Sequence, residues 1–121
     1  MDSDHLRLRT KIFALEVIRF FQKLPKTEEA KILGKQLIRS ATSLAANYRA
    51  ACRARSKLEF YAKLCIVVEE SDETLFWIEL LKYSNLVLNS DIELLKREAE
   101  ELLFIFSASR KTTKINQSKI Q

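Results

Sequence analysis

A chain with one glycine and one proline has very few places to turn, and here Gly34 and Pro25 are those residues among 121. Tight turns draw on glycine for positive φ and on proline for a preset φ. A β-rich fold of this length needs such chemistry every ten residues or so. Long helices need it only at their ends. The scarcity of both residues therefore points to an all-α chain of one domain, and 47% apolar residues provide for one small core.

Apolar spacing divides the chain into four helical segments. The first spans about 4–24. Leu8, Ile12, Leu15, Ile18 and Phe21 step by three or four and define its expected inner stripe, Asp2, Ser3 or Asp4 can cap it, and Pro25 stops it. The second spans about 27–54. Thr27 is its expected N-cap, and Glu28 and Glu29 suit the positive end of the helix dipole. Leu33, Leu37, Ala41, Leu44, Tyr48 and Ala51 form one seam; Ile38, Ala45 and Cys52 form another. Small residues in its middle allow close approach by a neighbour. The third spans about 57–83, opened by a capping box, Ser56-Lys57-Leu58-Glu59. The fourth spans about 91–109, opened by a second box, Ser90 to Glu93, with Ile92, Leu95, Ala99, Leu102, Leu103 and Phe106 inward. Short links between such helices imply an antiparallel up-down-up-down four-helix bundle over residues 1–109. Residues 110–121 are polar and basic, and are expected to be a disordered tail.

Helices two and three are apolar on more than one face, whereas an isolated bundle needs one stripe per helix. Tyr48, Phe76 and Trp77 are candidates for burial against another subunit, which predicts a homo-oligomer. Cys52 and Cys65 sit within apolar helical patterns, as small buried hydrophobes of a reducing cytoplasm do. The acidic N-terminus does not have the form of a secretory signal, and no apolar run is long enough to span a membrane. A cytoplasmic location is expected.

Catalytic chemistry finds little to use. His5 is the single histidine, the cysteines lack zinc-finger spacing, and one glycine makes no phosphate loop. A non-enzyme without cofactor or metal is expected. Glu69, Asp72 and Glu73 lie within one turn of each other. Such a group can hold a divalent ion; more often it is a solvated face, or its members are the partners of arginines on the neighbouring helix, among which Arg39, Arg49 and Arg53 are candidates.

The net charge of +5 is unevenly spread. Lys35 to Lys63 holds seven cations and one acid, Glu69 to Glu101 holds ten acids and three cations, and the tail adds Arg110, Lys111, Lys114 and Lys119. Arg49, Arg53, Arg55 and Lys57 cluster at the junction of helices two and three, with Lys63 beyond. Such a cluster contacts phosphates or neutralises the acidic helices; composition leaves both open. No aromatic platform or recognition helix accompanies it, so sequence-specific readout is not expected.

Gln36 to Asn47 (QLIRSATSLAAN), then Ser56 to Phe60 (SKLEF), then Glu73, resemble the 23S ribosomal RNA intervening-sequence family of bacterial four-helix-bundle proteins. That family's pattern is roughly Q-L-x-R-A-x-x-S-I-x-x-N-I-A-E-G followed by S-x-x-E-F. The likeness covers about residues 8–108. Where the family commonly has Ala-Glu-Gly, this chain has Arg49-Ala50-Ala51, so no role of that glutamate carries over. The resemblance implies a bundle that assembles, with a homopentamer as the expected state. It also implies an association with nucleic acid, since members are encoded within ribosomal RNA insertions and a related protein is the accessory factor of diversity-generating retroelements. The expected phosphate contacts are Arg39, Arg49, Arg53, Arg55, Lys57 and Lys63, with RNA or DNA as partner and no strong sequence preference. Asn47, Ser56, Glu59 and Glu73 are expected to serve structure. The alternative is a protein–protein adaptor or assembly scaffold whose cations are used up in salt bridges.

Overall fold

The computed structural model describes residues 2–87 and 89–120. Four helices follow in order: α1 (Ser3–Gln22), α2 (Glu28–Cys52), α3 (Lys57–Tyr83) and α4 (Asn89–Ile120). No strand occurs among the described residues. α2 packs most extensively on α3, α3 on α4, and α1 on α2, while α1 and α4 meet along the thinnest edge. α1 and α3 thus occupy opposite corners of an antiparallel four-helix bundle.

Local chemistry sets the helix ends. The Asp2 carboxylate accepts from the His5 amide at 2.8 Å, and Thr27 Oγ1 accepts from the Ala30 amide at 3.3 Å. Ser56 Oγ accepts from the Glu59 amide at 3.0 Å. The Glu59 carboxylate reaches back past the cap and accepts from the Arg55 amide at 3.4 Å. The second expected box does not form in this way. α4 begins one residue ahead of Ser90, and Glu93 turns instead to Lys82 of α3 in an ion pair. Between α3 and α4, Asn85 takes a positive φ of 61°, a left-handed position that asparagine tolerates better than most residues.

The single glycine lies inside α2. A Cβ on Gly34 would stand 2.6 Å from Leu24 Cδ1 and 2.7 Å from Phe21 Cδ1. Gly34 therefore serves the close approach of the end of α1 rather than a turn.

The core holds Phe13, Val17, Leu37, Leu44, Leu64, Val67, Ile78, Leu81, Ile92, Leu102 and Phe106, all nearly inaccessible. Each such side chain stabilises the fold by about 1.5–3 kcal/mol through burial. Where α2 meets α3 the residues are small and polar. The Thr74 hydroxyl lies 2.9 Å from Ser40 Oγ and 2.7 Å from the Glu70 carbonyl oxygen. Ser71 donates to the Val67 carbonyl. These short side chains bury their hydroxyls with partners and let the helix axes approach.

Three further expectations are corrected. The α1 stripe Leu8, Ile12 and Leu15 faces outward, 57%, 44% and 42% exposed, and Leu6, Phe13, Val17 and Phe20 face the core instead. α1 is apolar on two sides, so periodicity alone does not say which side the neighbours approach. Tyr48 is not an outward residue: it is 5% exposed, with its ring 4.9 Å from that of Phe106. Burial, with smaller contributions from Cys52, raises its phenol well above the ordinary range. Finally, α4 does not fade near Ser109 but remains helical to Ile120. Residues 110–120 contain no glycine or proline and several good helix formers, and Thr113 donates back to the Ser109 carbonyl at 2.8 Å.

Candidate functional site

Basic residues from two helices share one groove of about 480 Å³ between α1 and α2. Arg7 and Lys11 line it from α1, and Arg49 and Arg53 from the end of α2, over a floor of Leu8, Ala45 and Ala46. Asp4 is the one acid in its lining, and it pairs with Arg7. The floor is low because Ala45 and Ala46 leave room above the backbone. Lys11, Arg49 and Arg53 make no ion pair among the described residues. Arg7 Nε is buried and has no acceptor among them. Cations lining a groove without neutralising carboxylates attract anions.

The residues proposed as phosphate contacts fall into two groups. Arg49 and Arg53 enter this groove, and Arg55 and Lys57 stand exposed at the α2–α3 turn beside it. Lys63 is half-buried along α3. Arg39 is engaged elsewhere: its guanidinium pairs with Glu73, meets Glu70 at 3.4 Å, and donates to Gln36 at 3.2 Å. It bridges α2 to α3, which takes it out of the set available to phosphate. Arg7 and Lys11 were not anticipated. They lie on α1, far in sequence from the basic cluster, and their surroundings in sequence are unremarkable.

Among the residues given structural roles, Glu73 accepts from Trp77 Nε1 at 3.0 Å as well as pairing with Arg39. Phe76 packs edge-on against Trp77, ring centroids 5.0 Å apart. The acidic segment of α3 is thereby tied to α2, and no three histidine, cysteine or acidic side chains converge among the described residues. Asn47 bonds within its own helix, its Nδ2 donating to the Ser43 carbonyl at 2.9 Å and to Ser43 Oγ at 3.0 Å. It does not bridge helices.

The strongest charged clamp joins α1 to α4. Arg9 Nε donates to Glu98 at 2.8 Å and its Nη2 at 2.7 Å, and Glu101 lies 2.8 Å away. The hydrogen bond to Glu98 stabilises the protonated guanidinium and raises its pKa further. Between α3 and α4, Lys82 and Glu93 pair. That ion pair holds the Glu93 carboxyl below its ordinary range and the Lys82 ammonium above its own. Cys52 and Cys65 are free and half-buried, and interaction with Cys65 raises the Tyr61 phenol.

No helix of the described residues is long and apolar enough to cross a membrane. The family model for the 23S rRNA-intervening sequence protein matches residues 7–108. A crystal structure of a protein of unknown function from the S23 ribosomal protein family of Bacteroides thetaiotaomicron VPI-5482 is similar, at 27% sequence identity and a TM-score of 0.83. The match covers 92% of this chain and 99% of that one. Comparison with curated proteins returns no match.

Proposed function

The chain belongs to the 23S rRNA-intervening sequence protein family, and from that premise we propose that it is a non-catalytic, self-assembling bundle that holds nucleic-acid phosphates without strong sequence preference. The α1–α2 groove is the contact surface, with Arg7, Lys11, Arg49 and Arg53 as its cations. Arg55 and Lys57 at the adjoining turn extend it. The observation that carries this reading is that Lys11, Arg49 and Arg53 have no carboxylate partner among the described residues. A scaffold that used its cations for internal salt bridges would leave few of these free. Arg39, paired with Glu73, belongs to structure instead. A homo-oligomer multiplies the grooves on one particle, and a pentamer is the state implied by the family.

The test is binding of a mixed-sequence single-stranded RNA as a function of salt, on protein cleared of nucleic acid. Wild type should bind at low salt and release at high salt. Arg49→Ala with Arg53→Ala should weaken binding and flatten the log–log salt slope by roughly 1.4 per subunit bound, two phosphate contacts at about 0.7 each. A folded double variant with unchanged affinity and slope would remove the groove from the reading. A wild-type protein indifferent to RNA would leave the adaptor as the better account.

A further inference from the structure

We propose that the α1–α2 groove seats one unpaired nucleotide, its phosphate among the arginines and its base on an apolar shelf, so that the strand it takes is single. This rests on the phosphate reading above and adds to it the class of strand.

The two ends of the groove differ. α1 and α2 run antiparallel, so low numbers on α1 face high numbers on α2. Asp4 and Arg53 therefore mark the outer end of the groove, and Lys11 and Ala45 the inner end. In the outer half Arg49 and Arg53 are exposed and make no ion pair among the described residues. Asp4 stands there too, but it is held by Arg7. The inner half is apolar. Leu8 is 57% exposed, and Ala45 and Ala46 rise only a methyl group above α2. Lys11 is the one cation at that end.

A surface that answered charge alone would gain nothing from this shelf, because leucine and alanine offer a phosphate no donor. They offer apolar area to the face of a base, and short alanine side chains let a flat ring lie close to the helix. The free guanidinium planes of Arg49 and Arg53 can stack on the same ring. Size agrees. The groove holds about 480 Å³, within the range of roughly 300–1,000 Å³ that encloses one small ligand, and a nucleotide is of that size. Its lining runs for two helical turns, about 10–12 Å, which suits one unit of a strand and its phosphate. A duplex keeps its bases paired inward and presents only its backbone, so it leaves the shelf empty. Every base has a face to lay down, and no amide or hydroxyl side chain lines the groove among the described residues. Preference for unpaired bases therefore comes without preference for sequence.

Fluorescence anisotropy at low salt tests this with three probes: a mixed-sequence single-stranded oligodeoxynucleotide, an abasic strand of the same length, and the duplex of the first with its complement. The abasic strand keeps every phosphate and loses every base. Wild type should bind the base-bearing strand about tenfold more tightly than the abasic one, the contribution of one stacked base, and more tightly than the duplex. Ala46→Gln fills the shelf without altering charge, at an exposed position where glutamine suits a helix; circular dichroism checks the fold. In that variant the tenfold ratio should fall toward one. Leu8→Gln, which removes the apolar wall instead, should lower the ratio as well. Equal affinity of wild type for the base-bearing and abasic strands, with loss of binding in Arg49→Ala and Arg53→Ala, would overturn the base shelf and leave the phosphate reading standing. A preference for bases that persists in both glutamine variants, or tighter binding of the duplex, would also overturn it. A wild type that binds none of the three probes would overturn the phosphate reading and this inference together.

Discussion

Arg9 and Arg39 look alike in the sequence, yet they carry different burdens. Arg39 is half-exposed and reaches α3 across the surface. Arg9 is 17% exposed and forms a forked pair with Glu98, 89 positions away. Hydrogen bonds between charged groups contribute roughly 1.5–3 kcal/mol, more where desolvated. Arg9→Met should therefore lower stability by about 2 kcal/mol in urea unfolding, because it strands Glu98. Arg9→Met combined with Glu98→Leu should recover most of that loss, since a partly buried ion pair is replaceable by apolar packing. A single variant as stable as wild type would show that the clamp contributes nothing.

At the level of elements, the bundle is fastened unequally. α2 and α3 are locked by small residues and buried hydroxyls, α1 and α4 chiefly by Arg9 and its acids, and the α3–α4 corner by Lys82 and Glu93. The last pair is sensitive to pH. Glu93 has a depressed pKa when folded, so its contribution is full above the ordinary carboxylate range and is lost as pH falls through the depressed value. Lys82 has a raised pKa, so its contribution is full below the ordinary lysine range and is lost as pH rises through the raised value. The stability difference between wild type and Lys82→Met should thus be widest between those limits and narrow toward both ends. Thermal melts across pH measure it, and a gap independent of pH would dismiss the pair as a clamp.

For the molecule as a whole, the polarised charge has a structural meaning that the total of +5 hides. One arginine of the basic stretch, Arg39, answers the acidic helix; Arg49 and Arg53 join α1 to make a groove. The extension of α4 adds Arg110, Lys111 and Lys114 beyond Phe106, the last fully buried core residue among those described. Deleting residues 110–121 should lower helix content in circular dichroism and weaken RNA binding at low salt, while shifting the melting temperature by no more than about 2 °C, because no residue of the described core is removed. A large fall in melting temperature would place the extension in the core's support.

The sequence by itself determined the class and the count of helices. One glycine, one proline, the Thr27 and Ser56 caps and the 3.6-residue spacing are local signals, and local signals settle where a helix starts and stops. It also held most of the inner faces of α2 and α4: Leu37, Ala41, Leu44 and Ala51, and Ile92, Leu95, Ala99, Leu102 and Phe106, are buried as their spacing implies. Only the tertiary structure decided which side of α1 is inside, since both sides are apolar and the neighbours make the choice. It decided too that Tyr48 is core, that Glu93 serves Lys82 rather than a cap, and that α4 runs on past Ser109. The groove was half legible: Arg49 and Arg53 announce themselves by crowding, whereas Arg7 and Lys11 join them only when α1 folds back along α2. Ion pairs and grooves are made by side chains distant in sequence, and their chemistry does not exist until the chain brings them together.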